Sequence, residues 1–187
     1  MTDKGPTHCC KWWWAYSFDN PLRKLFQRPD KILGPYIKPG MTAVDLGCGM
    51  GFFSIPMAKM VGDKGKVISM DLQEEMLEIT KKRAGKKGVA HRIETVQTRA
   101  GELILPVEAD FALAMWMVHE VKRQDLFMKN VFNVLAPGGK FLMAEPKIHV
   151  KKSDMEESVE LAVKAGFVDA KRPKVGISIA ALLEKPA

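Results

Sequence analysis

The sequence predicts an α/β fold with a mostly parallel sheet. Short apolar runs alternate with longer amphipathic stretches from about residue 41 onward, and glycine or proline separates most of them. Such alternation is typical of strands joined by crossover helices. The chain has 187 residues, which suffices for one domain with a substantial core. We expect this domain to span residues 30–187, and we expect residues 1–29 to form a separate aromatic segment.

The first half of the domain is predicted to contain three strands and two helices. Apolar runs that follow glycine or proline predict the strands, and apolar residues at helical spacing predict the helices. In chain order, the expected elements are strand Met41–Leu46, helix Gly51–Met60, strand Lys66–Met70, helix Gln73–Ala84 and strand Ile93–Gln97.

A fourth strand is predicted over Ala109–Trp116, a run apolar enough to lie at the centre of the sheet. A helix with a buried apolar stripe is expected to follow over Gln124–Leu135. We expect the proline and glycines of Ala136–Lys140 to form a turn. A fifth strand is then expected over Phe141–Glu145.

The C-terminal part is predicted to add one helix and two strands. Ser153 has the character of an N-cap with Glu156 three residues later, which predicts a last helix over Asp154–Ala165. Phe167–Lys171 and Ile177–Leu183 then predict a closing pair of strands arranged like a hairpin.

A glycine-rich stretch follows the first predicted strand, in the sequence AVDLGCGMGFF that begins at Ala43. Glycine permits a tight turn there and lets a ligand approach the backbone closely. Gly47 and Gly49 match the first two glycines of the dinucleotide fingerprint G-x-G-x-x-G. The position of its third glycine holds Phe52, and the third glycine of this chain is Gly51 instead. The stretch therefore predicts a nucleotide-binding loop and disfavours NAD as its ligand.

Two acidic residues at strand ends indicate the kind of nucleotide. Asp45 lies two positions before the first glycine, where its carboxylate suits a cationic group such as the ammonium of an amino acid. Asp71 follows the second strand, where a carboxylate can accept hydrogen bonds from both hydroxyls of a ribose. A ligand that carries both groups is an adenosyl amino acid.

Four motifs in this order resemble those of the class I S-adenosylmethionine-dependent methyltransferases. They are VDLGCGMGFFS, VISMDLQEEMLE, ADFALAMWMVHEV and LAPGGKFLMAEP, and together they cover roughly residues 41–146. The resemblance implies a Rossmann-like three-layer αβα sandwich, with a seven-stranded, mostly parallel sheet and a C-terminal antiparallel strand. It also implies S-adenosylmethionine as the cofactor and methyl transfer as the activity.

The resemblance further assigns parts of the cofactor to residues of these motifs. The glycine loop, which includes Cys48, would carry the methionine part, and Asp71 would hold the ribose. The side chain after that acid, Leu72, would pack on the adenine. We assign Met76 and Met115 to the same site.

The adenine end departs from the family pattern. After the third strand the family often has an acidic residue that binds the adenine amino group, whereas this chain has VQTRAGEL there. Backbone groups of Arg99 and Ala100 are the contacts that we expect instead. Glu102 is a weaker substitute because it lies further along the chain.

Residues after the fourth and fifth strands are the candidates for binding the methyl acceptor. Ligands of open α/β sheets lie outside the carboxyl ends of the strands, which brings Trp116, His119 and Glu145 to the acceptor side. His119 is the candidate general base for a hydroxyl, thiol or amine. The alternatives are that His119 fixes a loop or Glu120, and that Glu145 is bonded to neighbouring backbone.

The N-terminal segment contains three consecutive tryptophans, Trp12–Trp14, with further aromatic residues close by. It could form a lid over the substrate, an anchor at a membrane surface, or a plug at a sheet edge or dimer interface. We expect a cytoplasmic protein, because the sequence lacks an apolar stretch of membrane-spanning length and a signal-peptide core. Cys9 and Cys10 have neither the spacing of a disulfide framework nor that of a metal site.

A small molecule is the expected methyl acceptor, because the chain has almost no insertion beyond the predicted core. The net charge of +7 leaves RNA or protein as an alternative acceptor. A non-catalytic module that binds S-adenosylmethionine is a further alternative. Both a monomer and a homodimer are compatible with the sequence, and no metal is expected.

Overall fold

The computed structural model describes residues 27–99 and 108–187 of the chain. Among these residues, seven strands form one sheet and five helices pack against its two faces. The strands are β1 (Thr42–Leu46), β2 (Lys66–Asp71), β3 (Ile93–Gln97), β4 (Ala109–Met115), β5 (Leu135–Pro146), β6 (Val168–Lys171) and β7 (Ser178–Glu184). The helices are α1 (Pro29–Leu33), α2 (Ser54–Val61), α3 (Glu74–Lys86), α4 (Gln124–Val134) and α5 (Lys152–Lys164), with short 3₁₀ turns at Ala90–Arg92 and Val118–Glu120.

The sheet has the strand order β3-β2-β1-β4-β5-β7-β6. The first five strands in this order are parallel to one another, whereas β7 runs antiparallel to both β5 and β6. Crossover helices between parallel strands cover both faces of such a sheet. The structure therefore confirms the predicted Rossmann-like sandwich with its seven-stranded, mostly parallel sheet and C-terminal antiparallel strand.

The core consists of one apolar layer on each face of the sheet. On one face, α4 and α5 pack against the central strands around the fully buried Phe141. On the other face, α1 and α2 cover the sheet around Phe111, whose ring stacks on that of Tyr36 with centroids 5.9 Å apart. Burial of one such phenylalanine contributes about 1.5–3 kcal/mol, so these rings are substantial contributors to both layers.

The predicted turn at Ala136–Lys140 is corrected by the structure, in which β5 already begins at Leu135. Backbone hydrogen bonds explain the difference. The Gly138 N–H donates to the Lys185 carbonyl and the Lys185 N–H donates to the Gly139 carbonyl, each at 2.9 Å. These bonds keep the segment within the sheet, so it does not form a separate turn. It lies where the pairing of β5 with β4 is irregular.

The predicted N-cap of the last helix is also corrected. Lys151 rather than Ser153 occupies the N-cap of α5, and its N–H donates to the Asp154 carboxylate at 3.0 Å. Glu156 instead forms an ion pair with Arg172 at 2.7 Å, between α5 and the segment after β6. A carboxylate can cap the first turn from either position, and this tertiary ion pair decides which one does so.

Other boundaries move by a few residues for local reasons. The helix α2 begins at Ser54 rather than at Gly51, because Gly51 lies in the left-handed region with φ +78°. The strand β4 ends at Met115, because the next residue, Trp116, also adopts a left-handed conformation. Helix α3 continues to Lys86, beyond its predicted end.

The proposed N-terminal segment lies almost wholly outside the described residues, which begin at residue 27. Its role as lid, anchor or plug stays a prediction, and so does the domain boundary after residue 29. Across residues 27–99 and 108–187, none of the helices has both the length and the apolar character that crossing a membrane requires. The cytoplasmic location expected from the sequence stays a prediction.

Candidate active site

The candidate site lies where the carboxyl ends of β1, β2, β4 and β5 meet at one edge of the sheet. The strand order reverses between β1 and β4, and crevices at such switch points are where open α/β sheets bind ligands. Asp71 ends β2, Met115 ends β4, and Glu145 lies one residue before the end of β5. The glycine loop, residues 47–53, follows β1 at the same edge.

Hydrogen bonds from two neighbouring elements fix the glycine loop. The Cys48 N–H donates to the Met70 carbonyl at 2.9 Å, which ties the loop to β2. The Thr80 hydroxyl on α3 donates to the Gly49 carbonyl at 2.9 Å. The loop is thus held at its backbone from both β2 and α3, so its conformation is set before any ligand binds.

Two glycines of the loop have no room for a side chain. A Cβ atom on Gly47 would lie 3.1 Å from the Met117 side chain, and one on Gly51 would lie 3.0 Å from the Thr80 side chain. Both glycines also have positive φ angles, +68° and +78°, which other residues rarely adopt. In contrast, Gly49 has no atom within 4 Å of its Cβ position, so its backbone faces open space.

Asp71 joins the glycine loop to the start of α3. Its carboxylate accepts hydrogen bonds from the Gly49 N–H at 2.9 Å and from the Gln73 N–H at 3.0 Å. Burial raises the pKa of Asp71 and the backbone donors oppose that rise. Each carboxylate oxygen retains a second lone pair, which is what a ribose diol requires. The next residue, Leu72, is 39% exposed and offers an apolar surface beside the carboxylate.

Asp45 is buried and accepts a hydrogen bond from the Ser54 hydroxyl at 2.5 Å. This bond ties the end of β1 to the first residue of α2, a structural role that the sequence did not indicate. The register partner of Asp45 on β2 is Ser69, whose buried hydroxyl has no hydrogen-bond partner among the described residues. The expected contact of Asp45 with a ligand ammonium stays a prediction.

Cys48 is a buried free thiol within the loop. Burial raises its pKa well above the usual value, and the nearby carboxylates of Asp45 and Asp71 raise it further. The group therefore stays protonated at neutral pH and is a poor nucleophile. Its place in the site is that of a small apolar side chain.

The remaining cofactor candidates are spread around this edge. Met76 is buried in the first turn of α3, and the Met115 sulfur accepts a hydrogen bond from the Gln27 side chain at 3.7 Å. Arg99 is exposed two residues after β3. Ala100 lies outside the described residues. Their contacts with a cofactor stay predictions.

The structure brings together His119 and Glu145, two of the candidates for binding the acceptor. The Nδ1 atom of His119 lies 2.5 Å from Oε2 of Glu145. The other oxygen of this carboxylate, Oε1, accepts a hydrogen bond from the Val118 N–H at 2.7 Å. The hydrogen bond to Glu145 raises the pKa of His119. Because Glu145 is only 3% exposed, its charge is available chiefly to these two donors.

Trp116 connects β4 to this pair through an unusual backbone conformation. Its φ angle is +61°, in a region that bulky residues rarely occupy. Its N–H donates to the Ala144 carbonyl and its indole N–H donates to the Ser178 hydroxyl on β7, each at 2.8 Å. Contacts on two neighbouring strands thus stabilise the strained turn that leads to His119.

The site is rich in carboxylates although the chain carries a net charge of +7. Burial raises the pKa of Glu120, and repulsion from Glu145 and Asp71 raises it further, while His119 lowers it. Together with the buried Asp45, four carboxylates surround this edge of the sheet. Such a site favours a cationic ligand over an anionic one.

Three residues that shape the site escaped the sequence analysis as site residues: Ser54, Thr80 and Ser178. Each acts through a hydroxyl, and the partners of Thr80 and Ser178 lie 31 and 62 residues away in the sequence. A serine at the start of α2 and a threonine on the apolar side of α3 were the only signals. Neither signal distinguishes such a contact from an ordinary helix residue.

S-adenosylmethionine fits this arrangement of residues. The glycine loop offers open backbone at Gly49, and Asp71 offers lone pairs for ribose hydroxyls. The acidic surroundings suit a ligand with a sulfonium and an ammonium group. The Ser69 hydroxyl shows that, within residues 27–99 and 108–187, not every polar group near Asp45 has a hydrogen-bond partner.

Comparisons with known proteins agree with this assignment. A family model described as a methyltransferase domain matches residues 37–172. The ubiquinone/menaquinone biosynthesis C-methyltransferases UbiE of Vibrio vulnificus and of a Shewanella species are each 31% identical over 109 residues, or 58% of this chain. The matched part covers only 42–43% of the length of those relatives.

Solved structures extend the likeness to nearly the whole chain. A SAM-dependent methyltransferase from Aquifex aeolicus is 25% identical and superposes with a TM-score of 0.80, over 92% of this chain and 97% of that one. A structure from Methanococcus maripaludis, with a TM-score of 0.79 at 16% identity over 94% of this chain and 92% of that one, supports the fold alone. Because the family model spans most of the sequence, the chain belongs to the methyltransferase domain family, among the class I S-adenosylmethionine-dependent methyltransferases.

Proposed function

We propose that the protein transfers the methyl group of S-adenosylmethionine to a small-molecule acceptor, with His119 accepting the acceptor's proton. The observation that carries this proposal is the 2.5 Å contact between His119 and Glu145, at the same sheet edge as the glycine loop and Asp71. A histidine oriented by a buried carboxylate has the arrangement of a general base. Its position after β4 is on the acceptor side of the site.

The chain's own residues supply binding, orientation and proton removal. When bound, the cofactor supplies a methyl group on a sulfonium sulfur. An in-line nucleophile can attack the methyl carbon, and the sulfur is the leaving group. The engagement of Nδ1 by Glu145 leaves Nε2 of His119 as the nitrogen that takes the acceptor's proton. The tautomer with the hydrogen on Nδ1 is favoured by that carboxylate, so the lone pair lies on Nε2.

The raised pKa of His119 sets the pH range in which it can act. A general base must be neutral, so the histidine becomes active as the pH rises through its elevated pKa. A conjugate acid with a raised pKa also holds a captured proton more strongly. The proposal favours an acceptor hydroxyl that ionises readily, such as that of a phenol, because its acidity is closer to that of a histidine than the acidity of an aliphatic alcohol is.

For the acceptor we propose a phenolic or quinol ring. The curated relatives carry names that place them in ubiquinone and menaquinone biosynthesis as C-methyltransferases, which supports this class. Removal of a ring hydroxyl proton by His119 would raise the electron density of the adjacent ring carbons. Such a carbon could then take the methyl group as the bond from methyl to sulfonium sulfur breaks. Transfer of the ring-carbon proton to the ring oxygen would restore the aromatic hydroxyl, and His119 would release the first proton to solvent.

Methyl transfer from radiolabelled S-adenosylmethionine tests this proposal. The acceptors to compare are small phenols and reduced quinones, bulk tRNA, and a mixture of unmodified proteins. We expect label in the small molecules, and we expect His119→Ala to bind the cofactor normally while turnover falls by about 10²–10⁴-fold. A matched control is His91→Ala, an exposed histidine beside Asp63 at the opposite edge of the sheet. Wild-type turnover in His119→Ala, or label found only in tRNA or protein, contradicts the proposal.

A further inference from the structure

Two loops lie side by side next to the acceptor end of the site. The first, residues 147–151, begins two residues after Glu145, and the second, residues 172–177, ends immediately before Ser178 on β7. The Lys147 N–H donates to the Ile177 carbonyl at 3.3 Å, which joins them. We call these two segments the loop pair. They form one surface beside the edge that carries His119 and Trp116.

An isoleucine at the tip of the first loop faces solvent. Ile148 is 80% exposed, although its neighbour Val150 is buried. The turn is closed by hydrogen bonds from the His149 and Val150 N–H groups to the Pro146 carbonyl, at 3.0 and 2.9 Å. Since hydrogen bonds close the turn and the buried Val150 anchors it, the backbone fixes the outward position of Ile148.

A second apolar side chain extends the exposed surface. Ile177, on the other loop, is 44% exposed. The backbone bond between Lys147 and Ile177 keeps the two loops in register, so both isoleucines belong to the same surface. The loop pair therefore presents two aliphatic side chains to solvent on adjacent, hydrogen-bonded loops.

Unpaired cations surround these isoleucines. Lys147, Lys152 and Lys174 are exposed, and none of them forms an ion pair with any residue in the described part of the chain. Among the nearby acidic residues, Glu156 and Asp169 are both paired with Arg172. The Asp154 carboxylate accepts hydrogen bonds from the Lys151 N–H and the Ser153 hydroxyl. The loop pair itself contains four basic residues, Lys147, Lys151, Arg172 and Lys174, and no acidic one, so it carries positive charge.

We propose that the loop pair binds the surface of an anionic lipid bilayer. Ile148 and Ile177 would enter the boundary between headgroups and acyl chains, and the lysines would lie against lipid phosphates. A nucleic acid fits less well, because single-strand-binding surfaces present aromatic side chains for stacking and this surface presents aliphatic ones. A second copy of the chain fits less well because the same cations would face each other.

Binding of a bilayer at the loop pair goes beyond the proposed function, and it would bring the site close to the lipid. Since both loops lie next to Trp116 and His119, a bilayer bound there would lie beside the end of the site where we expect the acceptor. An apolar acceptor could then pass from the lipid into the site with little exposure to water. Binding to lipid does not depend on which acceptor is used, so the two proposals fail independently.

Vesicle co-sedimentation of the full chain tests the inference. We expect binding to vesicles of phosphatidylcholine with phosphatidylglycerol, and much weaker binding to phosphatidylcholine alone. The double variant Lys147→Glu, Lys174→Glu should weaken binding at least about twentyfold, because each lysine near an anionic surface contributes roughly fivefold. Ile148→Gln should weaken it about tenfold through the lost apolar contact. Thermal melts and cofactor affinity equal to those of the wild type show that the variants are folded.

Matched controls separate the loop pair from other basic and aromatic parts of the chain. Lys86→Glu, Lys87→Glu changes two exposed lysines at the end of α3, toward the opposite edge of the sheet, and should leave binding unchanged. A variant with serine in place of all three residues of Trp12–Trp14 tests the N-terminal segment.

Four outcomes of these binding experiments would overturn the inference. They are no binding to anionic vesicles, binding that the loop variants leave unchanged, binding lost only with the tryptophans, and tRNA binding that needs the lysines but not Ile148. A dimer that Ile148→Gln dissociates without any change in vesicle binding would also overturn it.

Discussion

The Gly49 N–H donates a 2.9 Å hydrogen bond to the carboxylate of Asp71, joining the glycine loop after β1 to the end of β2. The two motifs are 22 residues apart in the chain, and this bond makes them one rigid unit. Thr80 holds the same glycine through its carbonyl, so the loop is fixed from both sides. A ligand that bonds to Asp71 thus also meets the loop in a fixed position.

Asp71→Asn should weaken S-adenosylmethionine binding by about tenfold or more. The amide would place an N–H₂ donor where the carboxylate accepts from the N–H of Gly49 or Gln73, and one such lost bond to a charged group costs about 1.5–3 kcal/mol. Calorimetric titration measures the change. Asp63→Asn, at an exposed aspartate of the opposite edge, serves as the control and should bind like the wild type. Equal affinity in the two variants would contradict this role of Asp71.

Gly51→Ala and Gly85→Ala should change stability in opposite directions. Alanine at position 51 would adopt φ +78° and would crowd Thr80, which predicts a loss of about 1–2 kcal/mol. Gly85 lies within α3 with nothing near its Cβ position, so alanine there should add about 0.5–1 kcal/mol. Chemical denaturation measures both values. A neutral Gly51→Ala would show that the loop is less constrained than the structure indicates.

Glu145→Gln should move the pH dependence of turnover to lower pH. The carboxylate raises the pKa of His119, so its removal lowers that pKa and the neutral base persists in more acidic solution. The ascending limb of kcat/KM should therefore shift toward acid, while the maximal rate falls because the ring is less well oriented. An ascending limb at the wild-type pH would argue that His119 is not the titrating base.

Ser178→Ala should affect the acceptor more than the cofactor. The Ser178 hydroxyl accepts the hydrogen bond of the Trp116 indole at 2.8 Å, and its loss costs about 1 kcal/mol at a strained residue. We expect a higher KM for the acceptor and an unchanged Kd for S-adenosylmethionine. Ser153→Ala, at an exposed serine in the first turn of α5, should change neither constant. A changed Kd for S-adenosylmethionine with a normal KM for the acceptor would show that Trp116 acts on the cofactor rather than on the acceptor.

The fold and the cofactor side were predictable because their signals are local in sequence. The glycines of the loop follow β1 directly and Asp71 ends β2, so the parallel sheet alone brings them to one edge. The sequence does not predict the hydrogen bond between the Asp71 carboxylate and the Gly49 N–H. No spacing rule specifies that detail.

The acceptor side was less predictable because its contacts join distant parts of the chain. His119 and Glu145 were recognised as candidates, but their direct contact depends on the pairing of β4 with β5. The left-handed backbone of Trp116 runs against the preference of a bulky aromatic residue, and a hydroxyl on β7 stabilises it. Tertiary hydrogen bonds of this kind outweigh local propensity, as they also do at the irregular start of β5.

The central claim is that this site binds S-adenosylmethionine. Calorimetric titration of the full chain with S-adenosylmethionine, S-adenosylhomocysteine and NAD tests it most directly. We expect one binding event per chain for both adenosyl compounds, weakened in Asp71→Asn, and no binding of NAD. Binding of NAD without binding of either adenosyl compound would contradict it.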